Sequence, residues 1–94
     1  MDSYYNIPVI IPAYEPDEKL LVLLRQLKEA GISHIVVVDD GSGSDYQELF
    51  LQAEAAGCEV LHHAVNLGKG RALKTAFNAC LLRFPGPVSY THLR

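Results

Sequence analysis

Three short, mainly apolar runs, of which the first two are rich in β-branched residues, alternate along this chain with segments of helical periodicity. The runs cover residues 7–11, 35–38 and 58–61, and the helical segments cover residues 17–30, 44–56 and 70–84. Strands without polar alternation are buried on both faces, as in parallel sheets covered by helices. Because parallel crossovers are right-handed, the chain is predicted to form a doubly wound, Rossmann-like α/β sheet with the order β-α-β-α-β-α.

The length and the charge restrict what such a fold can do. The 94 residues suffice for one small domain, and 49% hydrophobic with 20% charged residues is a globular composition. The net charge of −3 gives no support for a nucleic-acid binder. Residues 1–60 hold all eleven acids and three bases, a net −8, whereas residues 61–94 hold five bases and no acid. This division predicts a site that handles groups of both charges.

The compartment is predicted from what is lacking. The longest apolar run has five residues, the N-terminal residues show no signal-like pattern, and Cys58 and Cys80 lack metal-ligand spacing. We therefore expect reduced core cysteines in a cytoplasmic chain.

Local signals predict where the elements end. Pro12 is expected to end the first strand. For Pro8, we expect either that the strand begins late or that Pro8 lies where one backbone amide is not needed. Gly31 is a typical helix stop, and residues 44–47 (Ser-Asp-Tyr-Gln) fit a capping box. The third helix is expected to bury one stripe, formed by Leu73, Ala76, Phe77, Cys80, Leu81 and Phe84.

Open parallel sheets bind ligands beyond the carboxyl ends of their strands, which directs attention to three loops. In the first, Tyr14 could stack on a base with Pro12 fixing the wall; the alternative, favoured for this segment alone, is a rigid turn with Glu15 or Asp17 near a helix N-terminus. In the second, Asp39 and Asp40 could accept a hydrogen bond from a base imide or a ribose hydroxyl, or could form an N-cap cluster.

The third loop, residues 66–72 (NLGKGRA), brings cations to a helix start. Lys69 and Arg71 are disfavoured there by the helix dipole unless an anion binds. Free amides, two glycines and two cations predict a diphosphate site, and the alternative is a solvated loop. The spacing is not that of a P-loop.

The four histidines are interpreted as structural or solvated. His62 and His63 are adjacent on a strand and should point to opposite faces, so they are not expected to share a metal ion. His34 and His92 have no partner at metal-ligand spacing.

The three loops together closely resemble the N-terminal half of family 2 glycosyltransferases with the GT-A fold. The matching segments are VIIPAYEP (residues 9–16), VVVDDGSGSD (36–45) and NLGKGRALKTAFN (66–78). The last segment is similar to the branch that includes dolichyl- and polyprenyl-phosphate sugar transferases. The family reaction moves a sugar from a nucleotide-diphosphate sugar to an acceptor, generally with inversion.

The resemblance implies a role for each loop in binding a UDP- or GDP-sugar. The residues that would line the nucleotide pocket are Pro12, Ala13, Tyr14 and Glu15. Asp40 would bind the base with Asp39 in support, and Lys69, with Arg71 less directly, would approach the diphosphate. A polyprenyl phosphate or a cell-envelope glycan would be the acceptor, and a membrane would be met through the lipid acceptor or through parts of the enzyme outside this chain.

The resemblance also implies a missing part. The family's Asp-x-Asp motif, which holds Mg or Mn, should lie near residues 90–95, but no acid follows Glu59. We therefore expect residues 1–87 to be a partial GT-A domain that carries no catalytic residue and no metal ligand. Residues 88–94 are expected to be a non-native or disordered tail, and the fragment is expected to be inactive.

Two other classes remain as alternatives. A receiver-like, non-catalytic module also carries paired acids at a strand end, but after its first strand. A dinucleotide-dependent oxidoreductase would need a glycine-rich turn where this chain has residues 12–15 (Pro-Ala-Tyr-Glu).

Overall fold

The computed structural model describes residues 7–83 and 89–90. Strands and helices alternate as predicted. In chain order they are β1 (Val9–Ala13), α1 (Glu18–Glu29), β2 (Ile35–Asp40), a 3₁₀ turn (Ser44–Tyr46), α2 (Gln47–Ala55), β3 (Glu59–His63), α3 (Lys69–Arg83) and β4 (Ser89–Tyr90).

All strand pairs are parallel, and the sheet has the order β3-β2-β1-β4. Odd-numbered residues of β1 and β2 pack with α1 and α2 around Leu20, Leu24 and Phe50. Even-numbered residues of the same strands pack with α3 against Ala72 and Ala76. The sheet therefore has helices on both faces, which confirms the predicted fold class.

Pro8, just before the first strand, and Pro12, within it, are accommodated by the hydrogen-bond directions of this strand. Val9 N–H donates to His34 O at 2.9 Å, so Val9, Ile11 and Ala13 direct their backbone groups towards β2. Pro8 and Pro12 have the opposite parity, and their missing N–H groups cost no bond to β2. The expectation for Pro8 is confirmed, but Pro12 does not end the strand as predicted, because the strand continues through it to Ala13.

Helix α1 has the ends that its sequence indicates. Asp17 caps it by accepting from Lys19 N–H at 2.9 Å, and Gly31 follows the C-cap with φ +95°. The capping box at Ser44 is wrong, because no side chain caps this turn. The Gln47 side chain instead donates to Gly43 O at 2.9 Å and to the Asp39 carboxylate at 3.0 Å. The Gln47 side chain therefore binds the buried Asp39 carboxylate and does not complete the capping box.

Two strand boundaries and the buried stripe of α3 also differ from the prediction. β2 and β3 extend to Asp40 and His63, two residues further than their apolar runs, because paired polar side chains continue the ladder. Leu81 is 48% exposed and not part of the buried stripe of α3, whereas Ala72 is fully buried in it; Phe84 lies outside the described residues.

A short parallel strand, β4, pairs with Val9 and Ile10 where the sequence indicated none. The other residues of the expected tail are not among those described. No helix in the described part of the chain is long and apolar enough to cross a membrane. Cys58 and Cys80 are buried and free, as expected, and burial raises the pKa of both thiols.

Gly41 brings the end of β2 against the loop that precedes α3. Its φ of +76° is left-handed, and a Cβ there would lie 2.2 Å from Val65 C and 2.3 Å from Asn66 N. Gly43 also has positive φ, +89°, but a Cβ there would meet nothing within 4 Å. Substitutions at the two glycines therefore separate the cost of a left-handed backbone from the cost of a steric clash.

We predict that Gly41→Ala destabilises the chain more than Gly43→Ala does. Gly43→Ala should cost about 1 kcal/mol for the left-handed backbone alone. Gly41→Ala should cost about 2–4 kcal/mol, because the loop must also move. Urea unfolding followed by circular dichroism measures both, and equal losses would contradict the close approach.

Candidate functional site

The carboxyl ends of β1, β2 and β3 form one edge of the sheet. Ala13 is aligned with Asp39, and Asp40 with His63, so the loops that follow the three strands start side by side. Asp39 and Asp40 end the central strand and are only 2% and 3% exposed. Because adjacent strand residues alternate, Asp39 faces the side of α2 and Asp40 faces the side of α3.

Asp39 is held by three groups on its side of the sheet. Its carboxylate accepts from Ser42 N–H at 2.9 Å, from Gln47 Nε2 at 3.0 Å and from His62 Nδ1 at 2.8 Å. Burial alone would raise the pKa of Asp39, but the hydrogen bonds outweigh it and lower the pKa below 3.8. This acid is therefore kept as an anion.

Asp40 has four donors. Its Oδ1 accepts from His63 Nδ1 at 2.8 Å and from Leu67 N–H at 3.0 Å, and its Oδ2 accepts from Gly68 N–H at 2.9 Å and from Asn66 Nδ2 at 3.3 Å. Desolvation opposes ionisation here too, but the backbone and His63 bonds lower the pKa of Asp40. Four donors fill the lone-pair sites of a carboxylate.

The β1–α1 loop is tied to the same edge by Ser42. Its Oγ accepts from Glu15 N–H at 2.8 Å, and Glu15 has a φ of +49°, unusual for a residue with a side chain. Tyr14, next to it, is 46% exposed. The charge of Glu15 and a hydrogen bond to its carboxylate raise the pKa of the Tyr14 phenol.

The start of α3 differs from the predicted anion site in one respect. The amides of Leu67 and Gly68 are not free, because they donate to Asp40. The cations lie just beyond them: Lys69 is exposed, but its spacing of three and seven residues from the buried Ala72 and Ala76 places it on the same side of the helix as these residues. Arg71 is about 200° away around the helix axis and is exposed.

The predicted residues are therefore brought to one edge but differ in accessibility. Pro12, Ala13, Asp39 and Asp40 are buried, whereas Tyr14, Glu15, Lys69 and Arg71 are exposed. The roles assigned to them stay predictions. His62 and His63 point to opposite faces, as expected, since each contacts a different aspartate.

Several partners were not identified from the sequence. They are Ser42, Gln47, Asn66 and Thr75, together with the pairing of each histidine to an aspartate. The available signal was two acids at one strand end and two histidines at the next, which a parallel register places opposite each other.

The described residues do not fit the Mg or Mn ion that the resemblance implies. No group of three or more His, Cys, Asp or Glu side chains within residues 7–83 and 89–90 could hold a metal ion. Asp39 and Asp40 also use their oxygens for the bonds above.

We predict that the two carboxylates make the chain sensitive to acid. Because their folded pKa values lie below 3.8, their contribution to stability is complete above that pH and is lost as the pH falls through the lowered values. Asp40→Asn should lower the free energy of unfolding at pH 7 by about 1.5–3 kcal/mol. It should also reduce the further loss between pH 4 and pH 2.

Urea unfolding at pH 7, 4 and 2.5 measures both effects. Asp45→Asn, at an exposed acid, serves as the control and should follow the wild-type chain. An Asp40→Asn variant as stable as wild type at pH 7 would contradict the argument.

Comparison with known proteins agrees with the order of these segments. The family model for glycosyl transferase family 2 matches residues 9–83, from the start of β1 to the end of α3. An uncharacterized protein of Methanocaldococcus jannaschii, MJ1222, is 38% identical over 80 residues, which cover 85% of this chain and 32% of that protein. The chain therefore spans about a third of this relative's length. No solved structure matches this chain.

The family match covers all three loops and the strands before them. The parallel sheet, with these loops at one edge, is consistent with the N-terminal half of a GT-A fold. This chain belongs to glycosyl transferase family 2.

Proposed function

We propose that this chain is the donor-binding part of a glycosyltransferase and that it binds the nucleotide of a nucleotide-sugar donor at the carboxyl edge of β1, β2 and β3. Family 2 uses nucleotide-sugar donors in general, and this edge is where we propose that the donor lies. The observation that carries it is the joining of three loops. Ser42 binds the β1–α1 loop, and Asp40 binds the loop before α3, so the three family segments form one surface.

The base would lie beside Tyr14 and Asp40. Tyr14 exposes a ring at this edge, and stacking on an aromatic ring suits any base. Asp40 has no vacant lone pair, so a base N–H can reach it only by replacing a present donor. The Asn66 bond, at 3.3 Å, is the longest of the four and is the one we propose is exchanged. Asp39 would support base binding indirectly, by holding Ser42 in place.

The diphosphate would lie at the start of α3. The first N–H groups of a helix have no partner within it, and the dipole there favours an anion. Lys69, on the same side of the helix as Ala72 and Ala76, would add a cation to them. Arg71 lies on the opposite side of the helix and would contribute less.

The complete enzyme would transfer the sugar to an acceptor with inversion. A UDP- or GDP-sugar as donor, a polyprenyl phosphate or glycan as acceptor, and Mg or Mn as the ion are part of this proposal and come from the resemblance. We further propose that residues 1–94 bind the nucleotide without transferring sugar. The described residues offer no metal site, and the chain corresponds to about a third of its relative.

We predict that Lys69→Ala weakens the binding of UDP or GDP about tenfold or more, since hydrogen bonds to charged groups are worth about 1.5–3 kcal/mol. Arg71→Ala removes a cation from the same helical turn and should change the affinity less than threefold. Isothermal titration calorimetry measures both at one salt concentration. Equal effects of the two variants would indicate general electrostatic attraction instead of a diphosphate site.

We predict that Tyr14→Ala weakens nucleotide binding about tenfold, because base stacking on an aromatic ring contributes about 1–3 kcal/mol. Tyr14→Phe keeps the ring and should bind within threefold of wild type. The same titration with inorganic diphosphate should show no effect of either variant. Loss of affinity in Tyr14→Phe as large as in Tyr14→Ala would exclude stacking as the cause.

A further inference from the structure

The hydrogen bond between Asp40 and His63 continues to a third side chain. His63 Nδ1 lies 2.8 Å from Asp40 Oδ1, and His63 Nε2 lies 2.9 Å from Thr75 Oγ1. An ionised carboxylate only accepts, so in the neutral ring Nδ1 carries the proton and Nε2 has a lone pair. Thr75 then donates to His63, and His63 donates to Asp40.

This chain of hydrogen bonds ties α3 to the sheet at two places. Thr75 lies in the second turn of the helix, and Leu67 and Gly68 precede its first turn. All three are connected to one carboxylate, Thr75 through His63 and the two amides directly. The N-terminal turn of α3 is therefore held between two contacts that share Asp40.

The corresponding pair on the other face of the sheet lacks this extension to α3. His62 donates to Asp39 in the same register, but 47% of its side chain is exposed, against 10% for His63. Its ring makes a T-shaped contact with Phe50 on the α2 side, with the ring centroids 6.1 Å apart. His62 is therefore a matched control for His63.

We propose that His63 and Thr75 are positioning residues for the donor site: they orient the Asp40 carboxylate and, through it, the loop and helical turn that receive the nucleotide. This inference rests on the proposed function. Hydrogen bonds in a chain polarise one another, so the Thr75 hydroxyl strengthens the bond that His63 gives to Asp40. Loss of the hydroxyl should loosen the loop at Leu67 and Gly68 without removing any group that contacts nucleotide.

The test uses Thr75→Val, which has nearly the same shape, and Thr75→Ser, which restores the hydroxyl. Thr75→Val should weaken UDP or GDP binding about fivefold, the equivalent of one hydrogen bond, and should shift the amide signals of Leu67 and Gly68. Thr75→Ser should bind within twofold of wild type. His63→Asn keeps a donor for Asp40 but cannot reach Thr75, so it should match Thr75→Val. The double variant should then lose no more than either single one.

Two measurements complete the experiment. Nitrogen-15 spectra of the imidazoles should show His63 protonated at Nδ1 and bare at Nε2, and His62→Asn should leave nucleotide affinity within twofold. The opposite tautomer, or unchanged affinity in Thr75→Val, would overturn the positioning role while the proposed function stands. Failure of both UDP and GDP to bind the wild-type chain would overturn the proposed function and this role with it.

Discussion

Two neighbouring carboxylates are buried at the end of the central strand, and the arrangement of the whole edge follows from this constraint. A buried, unpaired carboxylate is costly, so each acid must find donors within reach. Asp39 and Asp40 point to opposite faces and find one histidine each on β3. Both carboxylates also accept hydrogen bonds from backbone N–H groups, from Ser42 on one face and from the loop before α3 on the other. Burial of charge thereby organises the loops.

The division of charge along the sequence has a related origin. The start of α3 carries cations and no acid, which suggested an external anion. The structure supplies an internal one, because Asp40, 28 residues before Gly68, binds the amides at this helix end. The conflict between the cations and the dipole is thus partly relieved inside the protein. An external diphosphate would meet Lys69 and the first helical turn, beyond the loop that Asp40 holds.

The element order, the parallel sheet and the edge that gathers the loops could be predicted, since apolar runs and helical periodicity are local signals. Boundaries were less accurate where a distant partner decides. Pro12 stays in β1 because its nitrogen faces away from β2, so the N–H group that proline lacks is not needed for that pairing. This direction is set by the pairing of Val9 with β2. The Gln47 side chain donates to the Asp39 carboxylate instead of forming the expected capping box, because a buried carboxylate must find donors.

The sequence by itself determined the parallel α/β fold, the three loops at one edge and the family to which the chain belongs. These follow from hydrophobic periodicity and from short motifs, which are properties of neighbouring residues. Only the tertiary structure decided which groups Asp39 and Asp40 bind and that Thr75 reaches His63. Apart from the bonds that Ser42 and Gln47 give to Asp39, these contacts join residues 12 to 28 positions apart in the chain. Strand register and helix packing bring such residues together, and neither is encoded in any one segment.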